Sequence, residues 1–372
     1  MPENTLRVTH VLRNLRFGGL QNRVLNLIKE LPSFAHSVVV QSPDNGELYV
    51  QYQDVCDLRQ CVRHPGRSLD FFLRLTAVLR ELKPDVVLAH LFGNHTLVAW
   101  AAYLARVPAT YGVSTNDPLF YAGSRWKPTV LAHLARPVSV GEIAVSEAVG
   151  RILRSGLHLP ASRVHVVPNG CPVEEIARQA QIGKTAAEQE GDRPKRAFMA
   201  ARLGRTKDHA TLLKAAQILH ECGSLELWLA GTFRDSARTR FEALLAELGV
   251  HTRVKFLGPR GDIAALMGAC DVVVLSTRSE GLPNSVLEAM AAGVPVVATD
   301  IPACREVLDG GRCGILVSPG DPETLASAIR QILSDEHLRH RLTTAAFERV
   351  SSCYHVKQMA AGYANLLRGS RS

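Results

Sequence analysis

The chain has 372 residues, 46% hydrophobic and 21% charged, which is enough apolar material for two packed domains and not a disordered composition. No stretch approaches the roughly 18 uninterrupted apolar residues of a membrane-spanning helix, and no secretory signal is expected at the start. The eight cysteines hold no Cys-x-x-Cys pair and read as reduced, mostly buried thiols, so a disulfide scaffold, structural zinc and an integral membrane protein are all excluded. The net charge of +8 is lopsided: residues 1–170 carry 18 Lys/Arg against 12 Asp/Glu, residues 171–372 carry 25 against 23. A basic first half suits an acidic partner, although solubility alone accounts for it equally well.

In chain order, strands are expected at 6–12, 36–41, 85–90, 108–114 and 164–170, with helices at 20–31, 69–82 and 97–106 between them. The second half repeats the rhythm, with strands at 196–202, 225–231, 254–258, 271–277, 294–300 and 314–318. Their near-continuous Val/Leu content marks strands buried on both faces. Strands alternating with helices of this length imply right-handed βαβ crossovers and parallel sheets. The predicted architecture is α/β, with two doubly wound Rossmann-like domains, 1–170 and 171–355, facing across a cleft. Polar, aromatic-free 178–196 reads as an exposed loop near the boundary, and Asn169-Gly170 as a turn and hinge. A long helical stretch at 322–352 precedes a last helix, 356–369, and the segment 356–372 is expected to cross back onto the first domain. Ligands of such sheets bind at the carboxyl ends of the strands.

The strongest constellation is RSEGLPNSVLEAMAAGVPVVATD at 278–300. A buried strand ends, a Gly/Pro loop turns, and a helix starts at Ser285, whose first N–H groups form an anion seat. Glu280 lies in the loop and Glu288 one turn into the helix. Ser285-x-x-Glu288 also spells a capping box, which would satisfy two orphan amides without any ligand. In AARLGRTKDHATLLKAAQIL (200–219), Arg202, Arg205 and Lys207 follow a strand end, a set of cations suited to a diphosphate or simply a basic surface loop. RFGG (16–19) joins the first strand to the first helix; it lacks G-x-G-x-x-G, and no Walker lysine motif is present.

Through FGGLQNRVLNLIKEL, DVVLAH, VHVVPNG, ARLGRTKDHATLLKAAQIL, VKFLGPRGDI and above all SEGLPNSVLEAMAAGVPVVAT, the chain resembles the retaining glycosyltransferases of family 4, which have the GT-B fold. The resemblance implies transfer of a sugar from a nucleotide-sugar donor, UDP- or GDP-linked, to a glycan or lipid-linked glycan. Arg202 and Lys207 would then bind the diphosphate and Glu280 the sugar hydroxyls, with Glu288 holding the ribose. Backbone amides around Gly281, Leu282 and Asn284 would contact sugar and phosphate, and Gly18 and Gly19 would face the phosphates from the other domain. His90 would be a catalytic-side cleft contact, with a satisfied strand-end histidine as the competing reading.

The sequence departs from the family's pattern at three places. Leu88 replaces the first histidine of His-x-His, Ser114-Thr115-Asn116 stand where a histidine often follows the next strand, and the usual Gly-x-Gly reads Gly231-Thr232-Phe233. No Asp-x-Asp is present, so neither an essential metal nor a further cofactor is expected. Nucleic acid is not an expected partner. A cytoplasmic location is expected, with a peripheral contact to an anionic membrane left open by RWKPTVLAHLARP (125–137), which is otherwise an ordinary surface helix. A sugar-nucleotide epimerase and a non-catalytic sugar-binding protein remain alternatives; a dehydrogenase would need the missing glycine fingerprint.

Overall fold

A computed structural model of the chain describes residues 5–370 apart from 91, 123–125, 205, 221–224, 234 and 251, and leaves aside the side chains of 92–94, 121–122 and 235–237. The chain divides into two compact units, Met1–Gly170 with Val356–Ser372, and Cys171–His355.

The first unit holds a seven-stranded sheet of β1 (Arg7–Leu12), β2 (Ala35–Val40), β3 (Asp57–Gln60), β4 (Val86–Ala89), β5 (Ala109–Ser114), β6 (Gly141–Ala144) and β7 (Val164–Val166), in the order β3-β2-β1-β4-β5-β6-β7. The second holds β8 (Lys195–Ala200), β9 (Leu225–Ala230), β10 (Val254–Gly258), β11 (Val272–Leu275), β12 (Val296–Thr299) and β13 (Ile315–Val317), in the order β10-β9-β8-β11-β12-β13. Neighbouring strands pair in parallel, as in Val273 against Val296 and Val8 against Val86. Parallel pairing needs a crossover between strands, and helices supply it. The central strands are apolar and buried throughout: Val86–Ala89, Val272–Leu275 and Val296–Thr299 each lie enclosed along their whole length.

In each sheet the order of successive strands changes sense once, between β1 and β4 in the first unit and between β8 and β11 in the second. Adjacent turns leave in opposite senses at such a point and open a crevice at the carboxyl ends of the strands.

Three local expectations are corrected. The stretch read as a loop at 178–196 is mostly helix, Val173–Gln189. Val173, Ile176, Ala180, Gly183 and Ala187 form a narrow buried stripe on an otherwise polar helix. Gly183 and Gly268 let it lie close to the helix Ile263–Gly268, since a Cβ at either would strike a backbone carbonyl of the other helix, Ala265 or Ala180. Two strands escaped the pattern: the edge strand β3 is mostly polar, and β6 carries Gly141 and Glu142 where an apolar run would signal a strand. The helical stretch 322–352 is two helices, Pro322–Ser334 and Glu336–Cys353, each capped by an aspartate. Asp321 accepts from the Thr324 amide (3.0 Å) and Asp335 from the Leu338 amide (2.9 Å).

The helix Val356–Gly369 packs against the helix Gly19–Glu30 within the first unit. Tyr363 is fully buried there, and its hydroxyl accepts from Arg23 at 3.2 Å.

Candidate functional site

The second unit's switch point is built from two turns that follow neighbouring strands, 201–208 after β8 and 276–283 after β11. Backbone bonds staple them together: Asp208 N–H to the Ser276 carbonyl (2.9 Å) and Arg278 N–H to the Thr206 carbonyl (2.7 Å), flanking an antiparallel bridge between Lys207 and Thr277. The bridge carries Lys207 onto Glu280, whose carboxylate accepts from its ammonium. Thr277 is fully buried; its hydroxyl sits 3.0 Å from both Glu280 Oε1 and the Thr206 carbonyl, and its amide donates to Thr299 Oγ1 at 2.9 Å. The Lys207 and Glu280 side chains remain 18% and 11% exposed, a small window through which a ligand could reach both.

Arg202 stands exposed just past the end of β8 and forms no ion pair or side-chain hydrogen bond with the other described residues. Arg205 lies outside the described residues. Beside this turn, Gly231 has a φ of +152°, and a Cβ there would collide with the Ala201 carbonyl, so only glycine fits. Two residues on, Phe233 packs at 4.0 Å from Phe256 and 5.5 Å from Phe241, centroid to centroid. Asp208 accepts from the Thr211 amide at 3.3 Å to cap the helix His209–His220, and pairs with Arg278 at 3.2 Å.

Gly281, Leu282 and Pro283 are buried, and the helix runs Asn284–Ala291 with Pro283 at its N-cap and no side-chain cap. Ser285 is therefore inside the helix rather than at its cap, and the capping-box reading fails. Glu288, one turn in, has neither an ion pair nor a hydrogen-bonded side-chain partner among the described residues. It keeps some surface open to solvent, yet the packing around its carboxyl raises its pKa to about 7. Burial, with Glu288 second, pushes the adjacent Cys171 thiol up, and its Sγ faces the Leu287 carbonyl at 3.7 Å.

The remaining candidates lie in the first unit. Gly18 caps the helix Gly19–Glu30 in extended backbone (φ 176°), and a Cβ there would meet only the end of the Gln21 side chain, so the backbone does not demand glycine. His90 stands in this structure as a satisfied histidine at the end of β4. It is fully buried, with Nε2 3.0 Å from His10 Nδ1 and Nδ1 2.9 Å from Arg23 Nη2. Both ring nitrogens are thus engaged within the first unit. His10 continues to His36 (3.2 Å), and His36 to the Leu31 carbonyl (3.1 Å). Arg23 can only donate, which fixes a single direction: Nε2–H of each histidine donates onward to the next acceptor. The same guanidinium donates to Asn169 (3.3 Å) and Tyr363 and meets no carboxylate among the described residues. Burial holds all three histidines below their usual pKa, His36 at about 4.

A second buried pair went unnoticed in the sequence. His95 Nδ1 lies 2.5 Å from Glu142, whose other oxygen accepts from Ser114 at 3.1 Å, over a Gly112 that has no room for a Cβ. An isolated glutamate in GEIAVS looks like a surface residue, and only the register of β5 against β6 brings these groups together.

The family described as "Glycosyl transferases group 1" matches residues 183–349, and "Glycosyltransferase Family 4" matches residues 17–175. The chain is a family 4-type glycosyltransferase. This glycosyltransferase is 28% identical to the phosphatidyl-myo-inositol mannosyltransferase of Mycobacterium leprae over 363 residues, covering 90% of this chain and 88% of that one. It is 36% identical over 141 residues to the lipopolysaccharide core biosynthesis glycosyltransferase LpsE of Rhizobium meliloti, covering 38% of this chain and 41% of LpsE. Its fold matches the crystal structure of Anabaena HepE in complex with UDP-glucose at a TM-score of 0.87 and 21% identity, over 98% of this chain and 100% of HepE. The GT-B architecture thus holds as two parallel-sheet α/β units. No helix among the described residues is long and apolar enough to cross a membrane.

Proposed function

We propose that this enzyme is a retaining hexosyltransferase that moves a sugar from a nucleoside-diphosphate sugar to a glycan or lipid-linked glycan. The observation that carries the reading is the Lys207–Glu280 pair at the mouth of β8 and β11, one turn from the helix Asn284–Ala291. A cation, a carboxylate and a helix N-terminus on neighbouring turns suit a ligand with an anionic diphosphate at one end and sugar hydroxyls at the other.

In this reading the diphosphate leaves as the anomeric carbon becomes oxocarbenium-like. Lys207 and Arg202 meet the charge that builds on the leaving oxygens, with the amides around Gly281, Leu282 and Asn284 alongside. Each preorganised donor of this kind is worth about 2.7–4 kcal/mol of transition-state stabilisation. Glu280, held in place by Thr277, accepts from hydroxyls of the donor sugar, and Glu288 accepts from the ribose. The acceptor hydroxyl attacks from the face the diphosphate leaves, its proton passing to a departing phosphate oxygen, so no protein nucleophile is required. The names of the relatives support the donor and acceptor classes: HepE was crystallised with UDP-glucose, and the two curated relatives are named for a lipid acceptor and a lipopolysaccharide core.

The test is product stereochemistry. Incubation with α-linked UDP- and GDP-sugars and an acceptor glycan, followed by proton NMR of the new anomeric centre, is expected to show an α-linkage. A β-linkage would overturn the retaining mechanism. Nucleotide and free sugar formed without any transfer product would overturn the acceptor.

A further inference from the structure

We infer that the outer face of two neighbouring helices in the first unit, Phe92–Leu104 and Trp126–Ala135, docks on an anionic lipid bilayer. The inference deepens the lipid-linked acceptor reading by naming the surface, and its test involves no sugar transfer, so either can fail without the other.

The face is apolar where water should select against it. Trp126, Val130 and Leu134 recur at i, i+4 and i+8, exposed by 65%, 46% and 53%. Trp100, Tyr103 and Leu104, at i, i+3 and i+4, are exposed by 38%, 57% and 45%. The inner faces of the same helices are apolar as well, with Val98, Ala99, Ala101 and Ala102 on one and Ala132 and Ala135 on the other buried. A helix apolar on both sides is not made to face only water. Two side-chain bonds hold the pair in register: Thr96 Oγ1 donates to the Leu131 carbonyl at 2.7 Å, and Trp100 Nε1 to the Leu134 carbonyl at 3.1 Å. The exposed rings and aliphatic groups of the two helices therefore form one patch.

Charge decides the occupant. From Val86 to Gly141 the sole acid is Asp117, against Arg106, Arg125, Lys127 and Arg136. Asp117 is turned to structural use, accepting from the amides of Leu119 (2.8 Å) and Phe120 (3.1 Å). The Lys127 ammonium lies 5.6 Å from the Trp126 ring centroid, and Arg80 donates to the Leu104 carbonyl at 3.1 Å, which places cations at the patch itself. Tryptophan and tyrosine rings beside cations match the headgroup zone of an anionic membrane, where the rings sit at the interface and the cations meet lipid phosphates.

The experiment is co-sedimentation of the full chain with vesicles of equal parts phosphatidylglycerol and phosphatidylcholine, and with pure phosphatidylcholine, at low and high salt. Gel filtration runs in parallel. Binding is expected to the anionic vesicles, weakened by salt, and reduced about tenfold or more by Trp126→Ser with Leu134→Ser and likewise by Lys127→Glu. All three positions are exposed, and circular dichroism checks that the variants remain folded. Absence of binding to either vesicle overturns the proposal. So does binding that the variants leave unchanged, or a wild-type dimer that Trp126→Ser dissociates without any vesicle binding; the last would assign the patch to a second copy of the chain.

Discussion

Lys207 and Glu280 lie 73 positions apart in the chain, yet the ammonium donates directly to the carboxylate through the short bridge that joins their turns. Lys207→Ala leaves an enclosed carboxylate with the Thr277 hydroxyl as its remaining side-chain partner. Urea unfolding is expected to show a loss of about 2 kcal/mol, the lower range for breaking one side of a partly open ion pair. Turnover is expected to fall about 10²–10³-fold, as for removal of one oxyanion donor. Glu280→Gln keeps the size and a Thr277 contact, so nucleotide affinity should stay near wild type while turnover drops. Unchanged turnover in either variant would remove that residue from the reaction.

Glu288 makes the second unit sensitive to pH in a definite direction. Its carboxyl titrates near 7 in the fold, against an ordinary value of 4.5. Between these values the fold holds a proton that the unfolded chain has lost, so stability falls as pH rises through the window. The full effect, up to about 3 kcal/mol, is reached above pH 7. Glu288→Gln should abolish this slope in thermal melts of the second unit. If ribose hydroxyls donate to the ionised carboxylate, wild-type nucleotide affinity rises as pH passes 7 and that of the Gln variant stays flat.

The histidine chain acts with the opposite sign in the first unit. Burial keeps His36 at about 4 from an ordinary 6.5, and His10 and His90 shift the same way. Their contribution is complete above pH 6.5 and is lost as pH falls toward 4, because the unfolded chain takes up protons that the fold excludes. For His36 alone this amounts to about 3 kcal/mol. His36→Gln should flatten the acid side of the melting profile. A melt that resolves the two units should show them shifting in opposite directions between pH 4.5 and 6.5.

Two glycines test close approaches. Gly231→Ala would force a Cβ against the Ala201 carbonyl at a φ of +152°, and Gly112→Ala would force one against the Glu142 carboxylate. Each is expected to cost about 1–3 kcal/mol in unfolding free energy. Because Gly231 abuts the turn that carries Arg202, its variant should also weaken nucleotide binding. Gly191→Ala, with open space around it but a φ of +69°, serves as a control that isolates backbone strain.

How far the sequence could be read follows the range of the forces involved. Val272–Leu275 and Val296–Thr299 announce themselves because burial on both faces demands unbroken apolar runs, and Lys207 and Glu280 are legible because the turns after such strands are where a crevice forms. The edge strand β3 and the glutamate-bearing β6 lack that run. Ser285-x-x-Glu288 misled because a capping box is a local pattern, whereas the chain enters this helix through Pro283. The sequence leaves His90 open between two readings for a different reason. Its partners Arg23 and His10 stand 67 and 80 residues away, and no local spacing distinguishes a histidine satisfied across a sheet from one facing a substrate.

The most direct measurement is nucleotide release from UDP-, GDP- and ADP-sugars by the wild-type chain and by Lys207→Ala, with and without an acceptor glycan. Release from one donor, accelerated by acceptor and lost in the variant, is the predicted result. A wild-type chain that binds none of these donors, or a variant that releases nucleotide as fast as wild type, would contradict a diphosphate seat at the Lys207–Glu280 turn.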